Sequence, residues 1–302
     1  MRNLAFFFAI ATMACSATRT QFGTGAAGAG TASGAGGESD GGGGAAPTTS
    51  SGDGGAGGFD LSGAGGSTST GPEPLDAEVY GHSSATLYRL DPLTKAVSIV
   101  GPFQGCTSVI DIAIDKDNKI VGTTFDGIYW IDKATAVCKL IANGGYPNSL
   151  SFLPEGTMYP DKEALVGYQG SAYVLIDTTT GKLSTIGSVG GGLSSSGDIV
   201  SVKDGGTYLT VNGNGCSDCL IEVDPKTGAL KKNWGTVGHS GVFGLAYWGG
   251  VAYGFANGGE LFEIHFQPAS VTTQPISVPN PPPGLSFWGA GSSTIVPLDV
   301  PE

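Results

Sequence analysis

Two aspartates stand inside apolar runs, where an unpaired carboxylate is costly: Asp111 in "VIDIAID" and Asp198 in "GDIVSV". Matching the comparable runs of the chain by their apolar pattern sets these two level with Ser149, Ser286 and Gly244. Gathered at one mouth, Asp111, Ser149, Asp198 and Ser286 would present hard oxygen atoms, a donor set for Ca²⁺ or a polar ligand. Two carboxylates can also run acid/base chemistry. Glycoside hydrolysis of that kind is expected to bring a Glu as general acid and usually a histidine, and neither falls at a matching position. The structural alternative is that Asp111 and Asp198 accept hydrogen bonds from backbone amides of neighbouring elements or from water between them.

Other catalytic patterns are thin. The G-x-S-x-G spelling occurs once, as "GESDG" (37–41) inside the Gly-rich low-complexity stretch, away from any strand pattern that could make a nucleophile elbow. The chain has no H-E-x-x-H and no phosphate loop. "GNGCSDC" and "SVGGGLSSSG" are Gly/Ser-rich loops with no helix after them, so no helix terminus faces a phosphate. "DKDNK" (115–119) lacks the Gly and the closing Glu of a calcium loop and reads as a hairpin turn. The three histidines, His82, His239 and His265, are scattered. Trp130, Trp234, Trp248 and Trp288 could form a carbohydrate surface, but each falls in or beside a strand, where core packing is the default.

The elements that must position these residues come from a repeated phrase. "LYRLDPLTK" (87–95) returns as "IYWIDKATA" (128–136), "YVLIDTTTG" (173–181), "LIEVDPKTG" (220–228) and, worn, as "LFEIHFQPA" (261–269). Each copy is a short alternating strand ending in Asp, with Thr three residues on and a second strand beyond. Asp at a turn's first position accepts bonds from the backbone two residues on, and Gly181 or Gly228 supplies the positive φ that closes it. These aspartates shape turns. Asp91, Asp132, Asp177, Asp224 and His265 fall at intervals of 41, 45, 47 and 41 residues. That period, with short strands and no sustained apolar period of 3.6, is one blade of a β-propeller.

Two further strands precede four of the phrases, as in "VIDIAIDKDNKIVGTTF". The first phrase has only "EVYGHSS" before it, and "GLSFWGAGSSTIVP" (284–297) has no phrase after it. The expected fold is therefore all-β: a five-bladed propeller of four-stranded blades, the first blade shared between 79–103 and 285–297 so that no edge stays open. "LYRLDPLTK" and "LIEVDPKTG", with "DIAIDKDNKIVG" and "FGLAYWGGVAYGF", resemble the degenerate repeats of exported bacterial propellers in the broad WD40/YVTN-like group, over residues 78–298. The resemblance implies the fold. It leaves function open, since propellers host lectins, hydrolases, lyases and binding platforms.

The N-terminus is a separate object. "MRNLAFFFAIATMAC" has one positive charge, an apolar run of eleven residues, Leu4–Ala14, broken only by Thr12, and then Cys15. That run is too short to span a bilayer and suits a signal-peptide core. Segment 1–15 resembles a bacterial lipoprotein signal, which implies cleavage before Cys15 and lipid on its sulfur; Thr12 departs from the usual Leu. An ordinary secretory signal is the alternative. Residues 16–77 are Gly/Ser/Ala/Thr-rich and bury too little to offset backbone entropy, so a disordered tether is expected. Ser16 resembles outer-membrane sorting. With a formal charge of −12 and no basic cluster, the chain is not built for nucleic acid or for electrostatic docking on anionic lipid.

Four cysteines follow Cys15: Cys106, Cys138, Cys216 and Cys219. An even number in an exported chain points to two disulfides. The "CSDC" pair lacks the extra soft ligands of a zinc site and the βαβ context of a redox motif. Inner and outer strands of one blade are about 14 Å apart, too far for a bridge. Cys106 escapes that limit by lying on the loop that arrives past the propeller's rim, where Cys138 begins an outermost strand. The expected pairs are Cys106–Cys138 and Cys216–Cys219. In function, the sequence reads as a monomeric cell-envelope lipoprotein, membrane-bound through its anchor alone, whose propeller binds or scaffolds a protein or glycan partner without a catalytic set. The alternative is a five-bladed lectin, glycoside hydrolase or lyase. No cofactor is indicated beyond the Ca²⁺ option.

Overall fold

In the computed structural model, residues 77–301 are described. The signal segment 1–15, Cys15 and the tether up to residue 76 lie outside the described residues. Five four-stranded antiparallel sheets make up the rest. The first holds β1 (Val79–His82), β2 (Thr86–Leu90) and β3 (Val97–Pro102). The second is β4 (Val109–Ile114), β5 (Ile120–Thr124), β6 (Gly127–Ile131) and β7 (Cys138–Asn143). The third is β8 (Leu150–Leu153), β9 (Ala164–Gln169), β10 (Ala172–Ile176) and β11 (Leu183–Ser188). The fourth is β12 (Ser194–Ser201), β13 (Thr207–Gly213), β14 (Cys216–Val223) and β15 (Leu230–Thr236). The fifth is β16 (Val242–Trp248), β17 (Val251–Ala256), β18 (Leu261–Phe266) and β19 (Val271–Ile276). Last in the chain, β20 (Gly289–Ser292) pairs with β1 and completes the first sheet in the order β20-β1-β2-β3.

This is the five-bladed propeller that the repeat implies. Burial falls from the centre outward: β5 and β8 are buried throughout, while β7, β11, β15 and β19 alternate between half-buried and exposed. One detail differs from the sequence reading. The C-terminal segment gives a single strand and residues 79–102 give three, because β1 already serves as the second strand of its blade.

The recurring turns are built as their residues require. Asp132 Oδ1 accepts from the Ala134 and Thr135 amides (3.0 and 2.8 Å) and from the Thr135 hydroxyl, which holds its carboxyl below the usual range. Asp91, Asp177 and Asp224 repeat the pattern. The fourth residue after each Asp sits at positive φ, a glycine in two copies (Gly181, +70°; Gly228, +67°) and Lys95 or Ala136 in the others. The fifth turn is shorter, closed by Gln267 N–H to Ser270 O (2.9 Å), so His265 is still within β18 and is not a turn residue.

Neighbouring blades are tied by side chains reaching across. The Tyr168 hydroxyl donates to Gly228 O (2.6 Å), and the Lys95 ammonium meets the Tyr253 hydroxyl (2.6 Å) and Glu263 (2.7 Å). Buried Glu78, just before β1, pairs with Arg89 (3.0 Å) and with Lys133 of the second blade (2.5 Å). Both disulfides form as expected. Residues 104–106 run along the outer edge of the second blade, Gln104 pairing with Val137, and bring the Cys106 and Cys138 Cα atoms to 5.7 Å. Cys216 and Cys219 are bridged at the start of β14, with Cα atoms 5.4 Å apart.

Candidate functional site

Sheet register defines the ring at the propeller's centre. Ala290 lies opposite Gly81, Ile112 opposite Gly122, Leu150 opposite Gly167, Ile199 opposite Leu209 and Leu245 opposite Gly254. The residue preceding each of these, in or just before its innermost strand, occupies the ring: Gly289, Asp111, Ser149, Asp198 and Gly244. Four of the five are those the apolar pattern selects. The fifth is corrected, because Ser286 lies three residues before its blade's ring position, on the arriving loop. Its apolar neighbours Leu285 and Phe287 imitate strand alternation, but Phe287 packs as core against Phe255 (ring centroids 5.0 Å apart) and Tyr88.

Asp111, Ser149 and Asp198 are completely buried. Asp111 Oδ2 accepts from the Leu150 amide of the next blade (2.6 Å). Asp198 Oδ2 accepts from the Leu245 amide of its own next blade (2.7 Å), and its Oδ1 from Ile199 N–H (2.6 Å). Each carboxylate therefore pins one innermost strand to its neighbour. The two carboxyl groups also lie within reach of each other. Burial first, and the adjacent Asp198 charge second, push Asp111 well above the usual carboxylate range. Burial raises Asp198 as well, opposed by the amides it accepts from. Both carboxyls are thus raised, and a proton held between them belongs to the pair.

A histidine enters this centre from an unexpected place. His82, fully buried, ends β1 directly opposite Gly289. A Cβ on Gly289 would run into His82 Nε2 and come within 2.5 Å of Asp111 Oδ1. The missing side chain is what lets these two atoms share one space. His82 Nδ1 lies 2.9 Å from Ser83 O, so the proton sits on Nδ1 and Nε2 is a bare acceptor. Burial holds its pKa down to about 4. Asp111 Oδ1, His82 Nε2 and Ser149 Oγ have no protein partner. The Ser149 hydroxyl is one donor in this group, and a proton on Asp111 adds another, toward Asp198 or toward His82. The sequence pattern, read along innermost strands alone, missed His82. Its signal was a histidine closing a second strand opposite a glycine.

Above this ring lies a pocket of about 190 Å³. Ile110, Asn148, Gly197, Phe243 and Trp288 line it, and each immediately precedes a ring residue in the chain. Phe125 and Asn257 add to the rim from the β5–β6 and β17–β18 turns. No charged side chain lines the pocket, and Phe125 and Phe243 are exposed (71% and 38%). Of the four tryptophans, Trp288 alone is here. Trp248 is core, and Trp234 carries the Lys232 ammonium over its ring at the rim. A wider hollow of about 630 Å³ lies beyond the Gly258–Gly259 turn, between His239 and residues 275–285. His239 stacks on Phe262 and lies 3.4 Å from Glu260, and His265 lies 3.0 Å from Glu263, so each has a carboxylate partner.

Among the described residues, no group of three or more His, Cys, Asp or Glu is placed to hold a metal ion. The Ca²⁺ option loses Ser286, and both aspartates already accept from amides where Ca²⁺ would need six to eight oxygen ligands.

No protein-family model and no curated protein matches the sequence. Solved structures do show similarity in shape. A protein of unknown function from Bacteroides caccae aligns over 67% of this chain and 73% of its own at 10% identity, with a TM-score of 0.37. A chain of a nidogen/laminin complex aligns over 72% of this chain and 98% of its own, also at 10% identity, with a TM-score of 0.46. Among the described residues no helix is long and apolar enough to cross a membrane.

Proposed function

We propose that this chain is an exported cell-envelope protein, anchored through lipid on Cys15, whose propeller is a non-catalytic binding module with its site at the channel mouth. One observation carries the reading. Each of the five blades contributes one residue to an uncharged pocket with aromatic walls, while the carboxylates beneath are engaged by backbone amides of neighbouring blades. Carboxylates held that way stiffen a ring and leave recognition to the surface above it. Two disulfides support an oxidising destination.

Saturation-transfer NMR against a fragment library tests the site: hits on the wild type should vanish in Phe243→Ala. Hits that survive would place binding elsewhere. Labelling with a palmitate analogue tests the anchor, with label expected on the wild type and lost in Cys15→Ser; an unlabelled wild type would leave plain secretion. A second reading, a carbohydrate-binding or carbohydrate-cleaving propeller, is favoured by the Asn148 and Asn257 amides beside the aromatic walls. A glycan array with a glycosidase screen separates the two.

A further inference from the structure

The mouth pocket is too small for an extended ligand. At about 190 Å³ it falls below the roughly 300–1,000 Å³ of sites for drug-sized molecules, so it takes one compact head group. Phe125, Phe243 and Trp288 supply aromatic walls, and the lining contains no Lys, Arg, Asp or Glu. One residue behind that lining, on two of the innermost strands, lie Asp111 and Asp198. Both are fully buried, and the donors they meet are the Leu150, Ile199 and Leu245 amides rather than any cation of the protein. His82 turns a bare nitrogen toward the same space. The two carboxyl groups set their oxygen atoms behind the lining with no cation of the protein beside them, and low-dielectric surroundings carry the field of such groups further than water would. The chain's formal charge of −12 has the same sign.

These features select among ligand classes. An anion is repelled. A bare metal ion needs oxygen ligands the pocket does not gather. A sugar ring needs several convergent donors, and Asn257 has already directed its amide N–H₂ at Phe287 O, leaving its carbonyl oxygen for a guest. A soft organic cation needs little directed bonding. It is held by the electron-rich faces of aromatic rings and by a negative field behind them, most strongly by Trp.

We propose that the channel mouth binds a compact organic cation of the quaternary or alkylated ammonium class, seated on Phe125, Phe243 and Trp288 above the Asp111–Asp198 pair. The proposal rests on the mouth being the binding site at all.

The test is calorimetric titration of the whole chain with three probes: choline, its neutral carbon isostere 3,3-dimethylbutan-1-ol, and methyl β-glucopyranoside. Choline is expected to bind saturably, with affinity reduced about tenfold in Phe243→Ala and in Phe125→Ala, and the isostere to bind about tenfold more weakly. Both phenylalanines are exposed (38% and 71%), so the variants keep the core, and an unchanged unfolding midpoint checks this. Choline and isostere binding equally would overturn the proposal, as would no choline binding. If the glucoside or the isostere then binds in a Phe243-dependent way, the mouth remains the binding site and only the ligand class falls. If no probe shows Phe243 dependence, both readings fall together.

Discussion

Replacing Asp111 by Asn should stabilise the protein progressively above about pH 4 and expose a pH dependence that the wild type conceals. In the folded protein, burial and the neighbouring Asp198 charge keep a proton on Asp111 that the unfolded chain releases near 3.8. Above that pH the folded state holds the extra proton, so stability falls as pH rises, by about 1.4 kcal/mol per unit, until the raised folded pKa is passed. His82 works in the opposite direction. Its pKa is lowered from 6.5 to about 4, so between those values the unfolded chain holds the extra proton and stability rises with pH. Over about 2.5 units that rise is on the order of 3 kcal/mol. From pH 4 to 6.5 the two slopes oppose each other. Asn at 111 can still accept from the Leu150 amide and donate where the acid proton was, so the Asp111 share of the falling slope disappears and the His82 rise is opposed only by Asp198, which burial also raises. His82→Gln should leave the falling slope instead. Urea denaturation of the wild type and both variants in half-unit steps measures this. The Asp111→Asn advantage should grow by about 1.4 kcal/mol per unit from pH 4. Curves that stay parallel to the wild type would refute the shared-proton centre.

Three further outcomes follow from the same geometry. Asp198→Asn should be poorly tolerated, losing about 1–3 kcal/mol by denaturation, because an amide has one oxygen for the two backbone donors Ile199 and Leu245. Gly289→Ala should cost about 1–3 kcal/mol or more, since its methyl group would occupy the space held by His82 Nε2 and Asp111 Oδ1; a thermal midpoint equal to wild type would contradict the packing. Replacing Cys106 and Cys138 together by Ser should remove about 3–4 kcal/mol, the loop-entropy value for a bridge of sequence separation 32. Reduction of the wild type by dithiothreitol should reproduce most of that loss.

The fold was legible because its signals are local and repeated. A turn of Asp, two residues and Thr advertises itself in four copies, and alternating strands on either side fix the period. Asp111, Ser149 and Asp198 were legible as a set because each lies in, or just before, an intact innermost strand whose apolar pattern carries the register. Ser286 was misplaced where that pattern is counterfeit, Leu285 and Phe287 being apolar for reasons of loop packing. His82 was hidden because its approach to the centre belongs to a pair of strands: it depends on a glycine more than two hundred residues away in the chain having no side chain. The mouth was hidden for a different reason. Trp288 reads as core because it falls beside a strand, and only the ring's radius decides that its side chain lines the mouth.

The central claim is that ligands meet this protein at the channel mouth, and the four tryptophans make it directly measurable. Trp288 lines the pocket, whereas Trp130, Trp234 and Trp248 lie elsewhere in the blades. In an indole ¹H–¹⁵N spectrum of the whole chain, titrated with the fragments that bind, the Trp288 resonance should move while the other three stay fixed. Shifts at Trp130 or Trp234 with Trp288 unmoved would put recognition on the propeller's rim and contradict the account.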